Sequence, residues 1–475
     1  MEHAVMDKIA HLIIGRTLKF IKKDPEKNMM KIIRIAKRLM GKTFPASAYD
    51  GMVKMATDKE NNWHTFAMKM IEEIDHEQIE KMLVAFGLHG AIYGTKKVRA
   101  NREKYGCNIP FILLLDPTSA CNLRCKGCWS AEYDHALNLS MEEMQDIVAQ
   151  AKALGTRIFM FTGGEPLVRK KDVLRLAKEN PDCVFLAYTN GTLIDEAFVR
   201  QMKACGNLLL AISVEGNQKS NDSRRGKGIY QKSREAMRLL KENKCLFGVS
   251  VCYTSENMSA VIDDSFFDDM IASGARFGLY FHYMPVGTGA VPSLMPSPEQ
   301  RVEIYHKLRQ VRSSGEGAKP FFVMDFQNDG EFVGGCIAGG RNYFHINSAG
   351  DMEPCVFVHY SDSNIRQKTI LEALQSPLFM SYYHGQPFND NHLRPCPMLE
   401  NPEKLRAIVH QTGAHSTDMI GRETVDELCG KCDDYAAKWM KTADTLWKAQ
   451  DRYAPFTQYY RDHTPEGVSA QSAVN

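Results

Sequence analysis

Residues 109–129 of this 475-residue chain are IPFILLLDPTSACNLRCKGCW. A short apolar run, 111–115, has the pattern of a buried strand and leads directly into a loop that carries Cys121, Cys125 and Cys128. Three thiolates around one centre suit an iron–sulfur cluster with one iron left open, whereas a structural zinc site needs four closed ligands. The gaps of three and two residues between the cysteines therefore favour an open cluster.

The central region repeats one unit, a short apolar run followed by a longer helical pattern. Strands are predicted at 111–115, 157–162, 183–188, 208–214, 246–253 and 277–284, and helices at 140–154, 170–179, 195–205, 229–243, 262–273 and 298–313. Six strand-then-helix units imply a parallel sheet that is open or closes into a partial barrel. We therefore expect an α/β fold based on a partial (β/α)6 TIM-like barrel, with its chemistry at the carboxyl ends of the strands.

Polar motifs follow successive strands of this predicted sheet. The candidate cofactor-binding residues are Gly163, Gly164, Glu165 and Pro166 after the second strand, Asn190 after the third, Ser213 and Glu215 after the fourth, and Arg225 in the next loop. Glycines allow close backbone approach, a carboxylate suits an ammonium group, and an arginine can pair with a carboxylate. Each motif alone also fits an ordinary turn. Together, at successive strand ends, they indicate one site.

The cysteine loop and the Gly-Gly-Glu-Pro motif resemble those of the radical S-adenosylmethionine (radical SAM) superfamily, whose signature is Cys-x3-Cys-x2-Cys. The resemblance implies a [4Fe-4S] cluster on the three cysteines, S-adenosylmethionine on the open iron, and a 5′-deoxyadenosyl radical that removes a hydrogen atom from an unactivated carbon. It assigns Gly-Gly-Glu-Pro to the amino group of S-adenosylmethionine and the end of the fourth strand to its ribose and carboxylate. One departure is Gly127, where the family often has an aromatic residue. No residue that would touch the substrate is identified.

A second set of cysteines lies downstream. Cys336 and Cys355 are followed by the pair Cys429 and Cys432, with Cys396 between them. The spacing resembles the C-terminal SPASM and shorter twitch domains of radical SAM enzymes, which carry auxiliary clusters. It implies an auxiliary [4Fe-4S] cluster on the two pairs, with Cys396 either spare or a substitute ligand. On the residues alone, four thiolates in two pairs also suit zinc.

Four regions are predicted along the chain. They are an N-terminal helical domain at 1–107, the barrel at 108–330, a small iron–sulfur domain at 331–445 and a polar tail at 446–475. The length favours several cores, because one core rarely serves so many residues.

Composition limits the partners and the compartment. The formal charge of +2 gives no overall attraction to nucleic acid. No apolar run approaches the roughly 20 residues that cross a bilayer, and the start lacks a signal-peptide pattern. We therefore expect a cytoplasmic protein whose cysteines stay reduced. The resemblance also implies an anaerobic enzyme with a reductant such as flavodoxin or ferredoxin.

The substrate is left open by the sequence. Residues 1–38 hold ten Lys/Arg against four Asp/Glu among apolar residues, a pattern that lets a helix lie on the inner face of an anionic membrane. That interpretation favours a lipid acyl chain as substrate. The alternative is a helical domain that packs on the barrel and exposes its charges. A peptide or protein substrate is the second hypothesis, and a non-catalytic metal scaffold or redox sensor is the third.

Overall fold

The computed structural model describes residues 2–40, 46–133 and 135–449. Most of the predicted polar tail, from residue 450 onward, therefore lies outside the described residues. Within those three ranges, no helix combines the length and the apolar character needed to cross a membrane.

The chain begins with a series of helices. They are α1 (Glu2–Lys23), α2 (Pro25–Met40), α3 (Ala46–Thr57), α4 (Asn62–Glu73), α5 (His76–Met82), a π-helical segment (Leu83–Gly94) and α6 (Thr95–Tyr105). The π-helical segment lies under the amino ends of the central strands, where Ala85 packs against Ile158 and Val184. The described residues 2–40 and 46–105 are largely helical, and the π-helical segment meets the sheet through this apolar contact.

A nine-stranded sheet forms the centre of the molecule. Its strands are β1 (Ile112–Leu115), β2 (Ile158–Phe161), β3 (Val184–Thr189), β4 (Leu208–Ser213), β5 (Phe247–Tyr253), β6 (Phe277–His282), β7 (Phe322–Asp325), β8 (Tyr343–Ile346) and β9 (Met352–Glu353), in the order β7-β6-β5-β4-β3-β2-β1-β8-β9. All neighbours are parallel except β8 and β9. The six predicted strands are confirmed. The sequence analysis did not predict β7 to β9, which are short and lie among glycine-rich loops.

Helices cover the outside of the sheet. They are α7 (Met141–Leu154), α8 (Lys170–Glu179), α9 (Glu196–Cys205), α10 (Gln218–Arg225), α11 (Ile229–Glu242), α12 (Met258–Val261), α13 (Asp264–Ala272), α14 (Pro298–Val311) and α15 (Gly330–Val333). Outward-facing strand residues such as Leu113 and Phe159 pack against them in the main core. From β7 at one edge to β9 at the other, the sheet curves around the barrel interior. The fold is therefore the expected TIM-like partial barrel.

The C-terminal region contacts both the helices outside the sheet and the carboxyl end of β6. Ile370 and Leu374 join the core that includes α7, and the Tyr435 hydroxyl lies 2.8 Å from His282 Nε2. The region contains α16 (Ile370–Leu374), α17 (Pro377–Gly385), α18 (Pro402–Thr412) and α19 (Val425–Ala449), with a small antiparallel pair, β10 (Tyr360–Ser361) and β11 (His415–Ser416). The last of these helices begins with a side-chain cap. Thr424 and Glu427 form a reciprocal cap, in which each side chain accepts the other's backbone N–H. Cys429 and Cys432 therefore lie on a helix and not in a loop.

Candidate active site

The loop after β1 holds the first three cysteines. Its turn is closed by the N–H of Cys128, which donates to the carbonyl oxygen of Cys125 at 3.2 Å. Gly127 lies inside this turn with φ of +64°, and an added Cβ would be 2.6 Å from the hydroxyl oxygen of Tyr283. Tyr283 follows β6, so an aromatic ring from another strand fills the space beside the loop. This contact explains why the position is glycine.

The Gly-Gly-Glu-Pro motif packs backbone to backbone against the cysteine loop. The N–H of Gly164 donates to the carbonyl oxygen of Thr118 at 3.0 Å, and that of Glu165 donates to Ala120 at 2.8 Å. An added Cβ on Gly164 would lie 2.2 Å from the Ala120 carbonyl oxygen. The glycines are thus required for the close approach of the second strand end to the loop.

Glu165 is a buried carboxylate, 2 % exposed, with three donors around it. The Thr189 hydroxyl donates to it at 2.7 Å, and the backbone N–H groups of Asn190 and Leu167 donate at 2.8 and 3.0 Å. Burial raises the pKa of Glu165, against the effect of these donors. The side chain is held in one orientation in the wall of a cavity that the three cysteines also line.

Asn190 and Ser213 lie in the same wall. The Asn190 side chain donates to Asn122, in the cysteine loop, at 2.9 Å. Ser213 is the last residue of β4 and follows the inward-facing Leu209 by four positions. The predicted convergence of strand-end residues on the cysteine loop is therefore present for these two positions.

Glu215 and Arg225 have a relation that the sequence analysis did not foresee. Glu215 is fully buried and accepts hydrogen bonds from Arg225 Nε at 2.8 Å and from Arg224. These guanidinium groups lower the pKa of Glu215 below its usual value, although burial alone would raise it. Both arginines line the cavity, whereas Glu215 lies behind them. Pro166 is buried and begins a short 3-10 helix, also behind the wall.

The donor set fits an iron–sulfur cluster. Cys121, Cys125 and Cys128 come from one loop and line one cavity. Burial raises the pKa of Cys121 to about 11 and raises that of Cys125, so without metal these thiols keep their protons at neutral pH. Arginines 224 and 225 oppose the increase at Cys125. Such a cationic surrounding suits the thiolates that a cluster requires.

The barrel interior is hollow. A cavity of about 1260 Å³ extends from the cysteine loop to the amino ends of the strands. Most of its inward-facing residues are apolar, although Tyr188 and Ser250 also line it. The apolar ones are Ile112, Leu114, Ile158, Met160, Val184, Leu186, Leu209, Phe277, Leu279, Phe281, Phe322, Met324 and Phe326. Cys252 also lines it. Small-molecule pockets usually measure roughly 300–1,000 Å³, so this one can hold S-adenosylmethionine and a further ligand.

The second cysteine set is divided between two places. Cys336, Cys355 and Cys396 line the cavity, and the Tyr343 hydroxyl lies 2.8 Å from Cys355 Sγ. Burial and the neighbouring thiols raise the pKa of Cys396. Cys429 and Cys432 are buried on α19 and belong to the same apolar cluster. The structure therefore brings Cys396, the residue of uncertain role, beside the first pair.

Across residues 2–40, 46–133 and 135–449, no group of three or more His, Cys, Asp or Glu side chains is arranged to hold a single metal ion. In an iron–sulfur cluster each thiolate binds a different iron, so the sulfurs need not meet at one point.

A buried polar network under the cysteine loop was missed by sequence reasoning. His345 lies between two carboxylates, with Nε2 2.9 Å from Asp116 and Nδ1 2.7 Å from Glu353. The Tyr133 hydroxyl also donates to Glu353, at 3.0 Å. Asp116 directly precedes the cysteine loop, and this position is the only signal that the sequence offered. The network joins β1, β8 and β9 below the site.

Comparison of the sequence with known proteins gives three findings. Residues 115–265 match the model of the radical SAM superfamily. The chain is 26% identical over 296 residues to an AdoMet-dependent heme synthase of Methanosarcina barkeri, covering 57% of this chain and 83% of that protein. It is 28% identical over 258 residues to a PqqA peptide cyclase of Granulibacter bethesdensis, covering 52% and 67%.

A solved structure has the same fold. It is that of Streptococcus suis SuiB bound to S-adenosylmethionine, with a TM-score of 0.54 and 17% identity, covering 75% of this chain and 87% of that chain. At this identity the likeness concerns the fold alone.

Proposed function

This chain is a radical SAM enzyme, and we propose that it abstracts a hydrogen atom from an unactivated carbon of an alkyl chain. The cluster and S-adenosylmethionine, when bound, supply a 5′-deoxyadenosyl radical. One observation carries the proposal: the cysteine loop and Glu165 line the same large apolar cavity. A radical generated there would face aliphatic and aromatic side chains and little water.

The chain's own residues would bind and orient the cofactor. Glu165 would accept hydrogen bonds from the ammonium group of S-adenosylmethionine, because its position is fixed by three donors. Arg225 would hold the carboxylate, with Glu215 as the residue that positions it. Gly163, Gly164 and Pro166 would keep the strand end against the loop, and Asn190 and Ser213 would contact the ribose.

A lipid acyl chain is the substrate that the cavity supports best. Most of its inward-facing positions along the strands are apolar, for example Ile112, Leu186 and Met324, whereas Tyr188 and Ser250 are polar. An acyl chain also needs radical chemistry, because its C–H bonds are unactivated. Coupling of carbon atoms or a related reaction would follow the abstraction.

A peptide substrate is the second candidate. It is favoured by similarity to a relative named as a peptide cyclase, which the chain covers over 67% of that relative's length. A scaffold or redox sensor without catalysis is the third candidate, and it would have no need for a carboxylate fixed beside the cysteine loop.

We further propose an auxiliary [4Fe-4S] cluster in the C-terminal region. Cys336 and Cys355 would be two of its ligands, and Cys396, Cys429 and Cys432 would supply the others. Spacing in the sequence favours the Cys429–Cys432 pair, whereas the shared cavity wall favours Cys396. A zinc site on the same thiols is the alternative, and metal analysis of the purified protein separates the two.

The proposed enzyme acts in the cytoplasm with a small electron donor such as flavodoxin or ferredoxin. Peripheral attachment to the inner face of the membrane is supported by exposed apolar residues on the basic first helices, among them Leu12, Ile13 and Ile35.

The deciding experiment is anaerobic reconstitution followed by addition of dithionite and S-adenosylmethionine. We expect 5′-deoxyadenosine from the wild-type chain and none from the Cys121→Ala/Cys125→Ala/Cys128→Ala variant. A wild-type preparation with a full complement of iron that forms no 5′-deoxyadenosine would refute the enzymatic proposal.

A further inference from the structure

The barrel interior forms a cavity. In closed (β/α)8 barrels, inward-facing side chains pack in layers and leave no pore. Here the sheet is open between β7 and the β8–β9 edge, and the corresponding layers surround the cavity. The register aligns Leu114, Met160, Leu186 and Leu209 across β1 to β4. It aligns Leu279 and Met324 with Ser250 and Ser213 across β4 to β7.

The cavity reaches past the amino ends of the strands. There it is lined by residues of the first helices, including Phe66 and Phe86, and by Phe322 at the edge strand. Phe86 and Phe322 are 47% and 40% exposed, which indicates an opening on this side. Strands of four to six residues span about 13–20 Å, so the cavity can take an extended chain of about ten carbons or more.

Three arginines line this end of the cavity. Arg99 and Arg102 lie on α6, and Arg341 lies two residues before β8. Arg102 donates to the carbonyl oxygen of Ile109 at 3.0 and 2.8 Å, and also to that of Arg341. Arg341 donates to the carbonyl oxygens of Cys336 and Val333, both at 2.9 Å. These contacts hold two guanidinium groups in place through neutral partners.

No carboxylate neutralises the three arginines within the described part of the chain. Burial and the positive charges of Arg341 and Arg99 lower the pKa of Arg102 to about 10. Glu103 also lines the cavity but forms no ion pair with them. Other arginines of the cavity wall differ, because Arg276 is paired with Glu73 and Arg225 with Glu215. Like charges grouped in a partly buried wall indicate a place for an anion.

We propose that Arg99, Arg102 and Arg341 bind the oxyanion head group of an amphiphilic substrate whose alkyl chain lies in the barrel interior. This inference rests on the proposed function and adds the head group and its location. Planar guanidinium groups match phosphate and carboxylate oxygens in geometry.

The arrangement fixes which end of the substrate meets the radical. Arg102 and Arg341 are anchored at the amino ends of β1 and β8, whereas Cys121 follows the carboxyl end of β1. The head group and the cysteine loop are therefore at opposite ends of the strands. The hydrogen atom removed belongs to a carbon far from the head group, and not to one adjacent to it.

The test measures binding by calorimetry to the full chain with reconstituted clusters, under anaerobic conditions. The probes are dodecyl phosphate below its micelle concentration, dodecyltrimethylammonium and inorganic phosphate. Arg99→Glu is the test variant, because Arg99 is exposed and its loss leaves the bonds of Arg102 and Arg341 intact. Lys232→Glu, an exposed reversal of charge on α11, is the matched control.

We expect dodecyl phosphate to bind at least tenfold more tightly than either other probe. Arg99→Glu is expected to weaken it at least tenfold and Lys232→Glu less than twofold. Met324→Trp or Met160→Trp, each of which fills the interior, is expected to weaken dodecyl phosphate tenfold without changing inorganic phosphate. An unchanged melting temperature shows that a variant folds. One folded variant of the two, Met324→Trp or Met160→Trp, is sufficient for the test.

Several results would overturn the inference. Equal affinity for dodecyl phosphate and inorganic phosphate would indicate a site for a free phosphate compound. Equal affinity for both dodecyl probes, with no effect of Arg99→Glu, would indicate an apolar cavity without a head-group site. Absence of binding by all probes would reject the site. Formation of 5′-deoxyadenosine by the same preparations is measured separately. Failure of the proposed enzymatic function can therefore be distinguished from failure of the head-group site.

Discussion

In the loop after β1, the indole of Trp129 lies edge-on against the ring of Phe357, with centroids 6.1 Å apart and planes at 85°. Trp129 directly follows Cys128, and Phe357 lies two residues after Cys355. The two cysteine segments are thus in contact through aromatic rings. The same indole also meets His345 and His359, each with centroids 6.0 Å apart.

Removing the indole is expected to loosen the contact between the two segments. Trp129→Ala deletes several edge-to-face contacts of a half-buried ring, and we expect a loss of about 2–4 kcal/mol in the free energy of unfolding. Urea unfolding of the cluster-free protein measures this loss. Tyr93→Ala, at an exposed ring, serves as the control and should change the value by less than about 1 kcal/mol. Equal effects of the two variants would contradict the prediction.

His345 is expected to make stability depend on pH in the alkaline range. Burial alone would lower its pKa, but Asp116 and Glu353 raise it to about 10. A raised pKa means that the folded state holds the proton more firmly, so this contribution is complete below the unfolded value of about 6.5 and is lost as pH rises through about 10.

The test for His345 is urea unfolding between pH 6 and pH 10. His345→Gln leaves two buried carboxylates without a cation, and we expect a loss of about 3–5 kcal/mol at pH 7. The decline towards pH 10 should be weaker in the variant than in the wild type. An identical pH profile in both proteins would show that His345 is not the group responsible.

Glu165 is expected to govern the affinity for S-adenosylmethionine. In Glu165→Gln, an amide NH2 group replaces a carboxylate oxygen that accepts hydrogen bonds from neighbouring donors. We expect the dissociation constant of S-adenosylmethionine to rise about 10- to 100-fold. Because burial raises the pKa of Glu165, wild-type affinity should fall as the pH is lowered and the carboxylate becomes protonated. Equilibrium dialysis measures both effects. Glu179→Gln, at an exposed position, should leave affinity unchanged, and a similar loss there would contradict the assignment.

Iron content distinguishes the cysteines of the second set. With two [4Fe-4S] clusters the full chain should hold about eight irons, and Cys336→Ala should reduce this to about four. We expect Cys396→Ala to do the same, because its thiol shares the cavity wall with Cys336 and Cys355. Cys183→Ala, at a buried thiol elsewhere, should keep about eight. Retention of eight irons by Cys396→Ala would instead assign the site to the pair on α19.

The first helices are expected to bind anionic membranes. Leu12 and Ile13 are 53% and 58% exposed on a helix rich in lysine. The variant Leu12→Asp/Ile13→Asp should lose at least tenfold in affinity for vesicles of 30% phosphatidylglycerol in phosphatidylcholine, since it removes apolar area and adds like charge. Co-sedimentation measures binding. Met419→Asp/Ile420→Asp, at exposed apolar residues near α19, is the control, and equal loss in both would argue against a role of the first helix.

The local chemistry of the site could be predicted from the sequence because it depends on neighbours in the chain. Cys121, Cys125 and Cys128 are separated by fixed short gaps, and the Gly-Gly-Glu-Pro motif directly follows an apolar strand. The alternation of short apolar runs with helical patterns also predicted the six strands of the barrel. Their predicted bounds agree with the structure within two residues. These features are local, so a single sequence carries them.

Other features depend on residues that are far apart in the chain. The pairing of Arg225 with Glu215 was not predicted, although both were candidates, because spacing does not show whether two side chains face each other or a ligand. The position of Cys396 beside Cys336 and Cys355 likewise depends on how three loops fold over the barrel.

The sequence by itself determined the cysteine loop, the strand-end motifs and the parallel barrel, because each follows from periodicity and short spacing. Only the tertiary structure decided that the barrel interior is hollow and that the three arginines at its far end form no ion pair with a carboxylate among the residues that the structure describes. Whether inward-facing side chains fill a barrel depends on its curvature and on its closure, and these are set by strand pairing across more than 200 residues.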